Sequence, residues 1–226
     1  MRAALALPAS AASRPGVIVI HEIFGLNRDI RQKAQRLARM GYATVAPDLY
    51  DGPGIKPLCV MRALRSLNNG SGSAFDDLDA TRAWLAARDD VDASRIGVIG
   101  FCAGGGFALL YAARAPLGAA AVFYGAVPKD AAQLDGVCPV VGSFGGRDRI
   151  FGPQGRRLAQ MLDATKVPHD IRIYPEAGHS FMSDHRGVLA KLYSWGPMKL
   201  GYRPEEAEEC WERVAKFFSD HLDGKE

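Results

Sequence analysis

The stretch Gly100-Phe101-Cys102-Ala103-Gly104-Gly105 decides how this 226-residue chain is to be read. The β-branched run Ile96-Gly97-Val98-Ile99 leads into it, and a small-residue helical segment, Gly106 to Arg114, follows it. Strand, sharp turn and helix in that order form the context of a nucleophile elbow, here with a cysteine where serine is the usual residue. Small residues on either side let the backbone turn tightly, and the start of the helix aims unpaired N–H groups at the reacting centre, where they favour a thiolate and a developing oxyanion. A lone cysteine in an apolar segment also has a plainer reading as an inert buried thiol. The elbow therefore needs partners elsewhere in the chain. Gly97, Gly100 and Gly104 do not offer a dinucleotide site instead, because their spacing differs from G-x-G-x-x-G and the first of them falls inside the strand.

An acid and a histidine follow in the required places. Val140-Val141-Gly142-Ser143-Phe144 reads as a strand, and Gly145-Gly146-Arg147-Asp148 puts an acid in the loop beyond it. Ile171-Arg172-Ile173-Tyr174 reads as another, after which Pro175-Glu176-Ala177-Gly178-His179-Ser180-Phe181 puts a histidine in a turn. Taken singly, Asp148 is a turn residue after two glycines and His179 a loop residue beside one. Taken together, the chain order Cys102, Asp148, His179 is that of the α/β-hydrolases and differs from the chymotrypsin and subtilisin orders. The other histidines have weaker contexts: His169 follows a proline in a connection, His185 lies in a polar loop, and His221 is near the end of the last helix.

Val17-Ile18-Val19-Ile20 forms a short apolar strand ending in His21-Glu22-Ile23-Phe24-Gly25-Leu26-Asn27, the stage of the fold at which a hydrolase takes its second oxyanion N–H. With Ala46-Pro47-Asp48-Leu49-Tyr50, the elbow, the Gly-Gly-x-Asp loop and Ala177-Gly178-His179-Ser180-Phe181, the chain resembles the dienelactone hydrolase family in motifs and in their order, over about residues 17–181. The resemblance implies Cys102 as nucleophile, His179 as general base and later general acid, and Asp148 as the group that orients and charge-stabilises the imidazole. It implies an oxyanion hole from the backbone N–H groups of Ile23 and Ala103. It also implies that Glu22 contacts the resting thiol and is displaced when substrate binds; on the residues alone, Glu22 at a strand end reads equally well as a solvated acid.

The implied reaction is hydrolysis of a small-molecule ester or lactone through a thioester, with no cofactor and no metal, and the chain has no H-E-x-x-H or paired C-x-x-C spacing. The same thiol would equally serve a thioesterase or acyltransferase, or a redox-responsive protein that does not turn over. Members of the family grip a substrate carboxylate with arginines, as the guanidinium geometry favours. The candidates here are Arg62 and Arg65, with Arg186 or Arg203 later, although the region between Tyr50 and Phe75 is shortened relative to the family.

Length and composition fit one α/β-hydrolase domain spanning residues 1–226, a mostly parallel central sheet with helices on both faces. At 48% hydrophobic the chain has material for a substantial core, and its net charge of +3 comes from interspersed residues without a basic block, so no nucleic-acid partner is expected. Cys59, Cys102, Cys138 and Cys210 are widely spaced, which suggests no disulfide framework, and Cys138 and Cys210 read as core thiols. The run Ala3 to Leu7 reads as an edge strand rather than a secretory leader, no segment is long enough to span a membrane, and a cytoplasmic location is the default expectation.

Between these landmarks, Asn27 caps a helix to about Met40 ended by Gly41, and Ala43 to Ala46 is the next strand. Asp76 to Ala87 is a helix, and Ala119 to Tyr124 a strand. Asn68 to Ser73 reads as a flexible loop. Ala207, Cys210, Trp211, Val214, Phe217, Phe218 and Leu222 recur at helical spacing and form a core stripe. Met182 to Arg203, which carries Leu192, Tyr193, Trp195, Met198 and Tyr202, is apolar enough either to cover the active site as a lid or to pack under the last helix.

Overall fold

The computed structural model describes residues 1–9, 13–184 and 196–223. Its strands are β1 (Ala3–Ala6), β2 (Arg14–Ile20), β3 (Ala43–Pro47), β4 (Val91–Phe101), β5 (Ala119–Phe123), β6 (Val140–Gly145) and β7 (His169–Tyr174), in one sheet of order β1-β3-β2-β4-β5-β6-β7. Only β1 runs antiparallel to its neighbour. The helices are α1 (Arg28–Arg39), α2 (Lys56–Asn69), α3 (Ser73–Ala86), α4 (Ala103–Arg114), α5 (Gly152–Thr165) and α6 (Pro204–Leu222). This is the α/β-hydrolase architecture, and among the described residues no helix is long and apolar enough to cross a membrane.

Strand periodicity explains why the central strands read as continuous apolar runs. Successive side chains point to opposite faces, and both faces are covered. Ile18, Ile20, Ile96, Val98, Ala120 and Val122 enter one core, closed by α2, α3, α4 and α5. Their odd-numbered neighbours Val17, Val19, Ile99, Phe101, Ala121 and Phe123 enter the other, closed by α1 and α6. Each fully buried aliphatic or aromatic side chain contributes about 1.5–3 kcal/mol. The stripe expected on the last helix packs here, with Cys210, Val214 and Phe218 fully buried.

Local signals set most helix ends. Asn27 accepts the Ile30 N–H at 3.0 Å at the start of α1, Met40 closes it, and Gly41 turns away with φ of 106°. The expected loop Asn68 to Ser73 is shorter in the structure. Asn68 and Asn69 end α2, Ser73 opens α3, and only Gly70-Ser71-Gly72 connects them. Two glycines with φ of 66° and 110° make this turn unaided, and burial of Ala74 and Phe75 starts α3 three residues before Asp76. His169, read as part of a connection, is the first residue of β7. The elbow helix begins at Ala103 rather than Gly106, because Gly105 and Gly106 already donate to Cys102 O.

Strand order reverses between β2 and β4, and at such a switch point the carboxyl ends of neighbouring strands leave a crevice between diverging loops. The Glu22 loop and the Cys102 elbow open on either side of it. The two backbones meet closely: a Cβ on Gly104 would lie 2.3 Å from Ile20 O. Gly104→Ala is therefore expected to destabilise the fold by about 3 kcal/mol or more. Gly106→Ala, whose Cβ would meet a Leu67 methyl at 3.1 Å, should cost far less. Urea unfolding of the two variants checks this, and equal stabilities would refute it.

Candidate active site

Cys102 adopts φ of 54° and ψ of −118°, a conformation that costs a non-glycine residue on the order of 1–3 kcal/mol. Its surroundings hold it there. Cys102 N–H donates to Phe123 O at 3.0 Å on the neighbouring strand, and Cys102 O accepts from Gly105 and Gly106 at 2.9 and 3.3 Å. The turn lifts the thiol to the rim of the sheet, half-buried, whereas Cys59, Cys138 and Cys210 are buried. Ala103, the first residue of α4, has no acceptor within its own helix for its N–H. Ala103 and Ile23, the latter 42% exposed, both line the cavity above the thiol.

The three strand-end loops converge. Asp148 Oδ1 accepts the N–H groups of Ile150 and Phe151 at 2.9 and 3.0 Å, which fixes the carboxylate at the start of α5. Its other oxygen lies 2.6 Å from His179 Nδ1, and His179 Nε2 lies 3.1 Å from Cys102 Sγ. The turn reading and the orienting reading of Asp148 thus both describe it, one through each oxygen. His179 is 2% exposed, wedged between the rings of Phe151 and Tyr124, with its N–H held by Met198 O at 2.7 Å. Burial opposes its protonation, but hydrogen bonds to Asp148 and Cys102 and the charge of both outweigh this and raise its pKa to about 9.

Glu22 is not a solvated acid; it is 1% exposed. Its Oε1 accepts from Ser183 Oγ at 2.9 Å and from the Tyr124 hydroxyl at 3.2 Å. Ser183 Oγ in turn accepts from Lys33 Nζ at 2.9 Å; that ammonium pairs with Asp29 and stands over the Phe101 ring at 4.8 Å. A buried cation thus reaches a buried carboxylate through one hydroxyl. Burial, reinforced by the charge of Glu22, holds the Tyr124 phenol far above its ordinary pKa, so it serves as a neutral donor. Beside Glu22, the His21 ring lies 2.7 Å from Glu22 O through Nδ1 and accepts the Leu49 N–H at 3.0 Å through Nε2, with burial pushing its pKa down. It braces the loop as a neutral imidazole.

Lys33, Tyr124 and Ser183 were not singled out from the sequence. Lys33 did carry a signal, a lysine on the buried face of α1 between Ile30 and Leu37. Tyr124 carried none: it reads as the end of a strand, whereas it lies just beyond β5, where a φ of 42° lets its hydroxyl reach Glu22. Of the arginine candidates, Arg62 and Arg65 are exposed on α2, Arg203 is exposed and bonded to Glu206, and none of the three lines the cavity. Arg186 and His185 lie outside the described residues, as do Leu192, Tyr193 and Trp195 of the suggested lid. Of the rest of that segment, Met182 is buried in the core that α1 and α6 close, Met198 lines the cavity, and Tyr202 is 47% exposed.

A parallel sheet with an elbow cysteine at its switch point, faced by a histidine and an acid from two later strand ends, defines an α/β-hydrolase. The sequence model of the Dienelactone hydrolase family matches residues 1–222. A Yersinia pestis protein named "Putative carboxymethylenebutenolidase" is 34% identical over 226 residues, covering 92% of this chain and 78% of its own. The crystal structure of a "Putative Dienelactone Hydrolase" from Klebsiella pneumoniae superposes with a TM-score of 0.76 at 28% identity, covering 97% of this chain and 99% of that one. That of a dienelactone hydrolase-like promiscuous phosphotriesterase from metagenomic libraries gives 0.80 at 25% identity, covering 94% and 89%. The chain belongs to the dienelactone hydrolase family and is a hydrolase of that type.

Proposed function

We propose that this protein hydrolyses small carboxylic esters or lactones with Cys102 as nucleophile, His179 as acid and base, and Asp148 as the group that orients the imidazole. The observation that carries the reading is the continuous line Asp148 Oδ2, His179, Cys102 Sγ, with contacts of 2.6 and 3.1 Å, at the floor of an apolar cavity. With His179 protonated at neutral pH, the sulfur faces an imidazolium, the setting in which a thiolate attacks a carbonyl carbon. The carbonyl π electrons move to oxygen, and the Ile23 and Ala103 N–H groups stabilise that charge. As the intermediate collapses, the C–O bond to the alkoxide breaks and the alkoxide takes the His179 proton. An acyl thioester remains. His179, now neutral, removes a proton from water as its oxygen adds to the thioester carbonyl; the C–S bond then breaks, releasing the acid and restoring the thiolate.

Glu22 fits a modulating part in this cycle. Its Oε1 is anchored by Ser183 and the Tyr124 hydroxyl, and the Tyr124 ring packs edge-on against His179, so the carboxylate is built into the wall that supports the imidazole. Acid quenching during turnover of a slow ester, followed by mass spectrometry, should find an acyl adduct on the Cys102 peptide that hydroxylamine removes. Turnover without an adduct would refute the covalent route. Reversible peroxide modification of Cys102 with no ester or lactone turnover would favour the redox reading.

A further inference from the structure

The cavity above Cys102 has a volume of about 460 Å³, within the range of small-molecule sites. Its walls come from four places. Leu64 and Leu67 project from α2, Ile23 and Phe24 from the loop after β2, Phe151 from the start of α5, and Met198 and Leu200 from the chain beyond the histidine turn. The only polar side chains among the described lining residues are Cys102, His179 and Ser180, and both His179 ring nitrogens are already engaged.

The orientation of α2 produces this lining. The helix turns Leu64 and Leu67 inward and leaves Arg62 and Arg65 exposed. Leu58 and Met61, 54% and 62% exposed, precede Leu64 at intervals of three residues, so the apolar surface of α2 continues outward from the cavity. Arg147, Lys199 and Arg203 line a different depression that shares only Leu200 with the cavity wall. There Arg147 lies 3.9 Å from Glu176, and Arg203 bonds Glu206 at 2.9 Å. A carboxylate buried among the described lining residues would lose its water and find no free charged donor, since both nitrogens of the His179 ring are taken by Asp148 and Cys102.

We infer that this site takes uncharged esters or lactones with apolar acyl chains and discriminates against carboxylate-bearing ones, the specificity being set by Leu64 and Leu67. The inference rests on the proposed hydrolysis and narrows its substrate class. Each methylene moved from water onto this wall improves transition-state binding, and kcat/KM rises by about fourfold per methylene until the cavity fills. A chain of equal length ending in a carboxylate loses that gain and is disfavoured on the order of tenfold or more.

The test compares kcat/KM of the wild-type protein for phenyl acetate, butyrate and hexanoate, and for the monophenyl ester of adipic acid. In parallel, hexanamide and adipamic acid, which do not turn over, are assayed for protecting Cys102 against iodoacetamide. The expected result is a rising neutral series, a poor adipate ester, and protection by hexanamide at lower concentration than by adipamic acid. Leu64→Arg should raise the ratio of adipate to hexanoate turnover on the order of tenfold by supplying a partner for the carboxylate. A flat series, or adipate ester and adipamic acid performing as well as their neutral counterparts, would overturn the inference while leaving the hydrolase reading in place. If no ester turns over yet hexanamide still protects selectively, the hydrolase reading fails and the cavity preference stands.

Discussion

Cys102→Ala lowers kcat/KM for a phenyl ester by about 10⁴-fold or more, because it removes the thiol that His179 faces and that accepts the acyl chain. The variant suits the purpose structurally. Alanine keeps the Cβ, so the cost of the positive φ at the elbow is unchanged, and the three backbone hydrogen bonds that hold the turn do not involve sulfur. Fold and stability should therefore survive while turnover does not. Substitution by another thiol is not available from within the chain: Cys59, Cys138 and Cys210 are buried, and burial pushes the Cys138 thiol up to about 12. Thiol labelling with one equivalent of reagent should accordingly mark residue 102 in the wild type and fail in the variant. Turnover within tenfold of wild type would place the chemistry elsewhere.

Asp148→Asn lowers kcat by about 10²–10⁴-fold, the range expected when a triad loses the group that sets its imidazole tautomer. Asparagine keeps an oxygen for the Ile150 and Phe151 N–H groups, so the loop and the start of α5 should remain in place. What changes is the atom facing His179 Nδ1, where an acceptor becomes an amide donor. The imidazole then carries its proton on Nε2 and presents a donor to the sulfur without the charge that made it a base.

The same substitution has a signature in stability. In the wild type the His179 pKa is raised from 6.5 to about 9, so its protonation stabilises the folded state. That contribution is fully present below about pH 6.5 and is lost as pH rises through about 9, and it amounts to on the order of 3 kcal/mol. Asp148→Asn removes a leading cause of the raised value. Urea unfolding across pH 6 to 10 should fall steeply for the wild type and more gently for the variant. Parallel profiles would show that Asp148 does not set the protonation of His179.

Much of this site was legible in the residues because its signals are local. A β-branched run, two small residues around a cysteine and a helical segment describe an elbow within about a dozen positions, and Gly-Gly before Asp148 and Gly before His179 mark turns at strand ends. The loop at 68–73 was read too long because glycine and serine mark a turn without saying how tightly it closes; burial of Phe75 against Phe107 decided that. The arginines could not be assigned because a helix face has no inside until something packs on it. On α2 the arginines alternate with leucines and methionine, and it was the cavity that claimed Leu64 and Leu67.

What the residues determined unaided was order: which strand follows which, where each turn falls, and that a thiol, an acid and an imidazole lie in turns beyond parallel strands. Those facts are written in short-range periodicity and in the backbone demands of small residues, and they do not wait for tertiary contacts. The partners of Glu22 were decided only when the chain closed. Tyr124 and Ser183 lie 102 and 161 positions from it, and Lys33 and Ser183 lie 150 apart. A hydrogen bond across such a separation depends on how two faces of a sheet are covered, and that is set by the packing of the whole rather than by any segment of it.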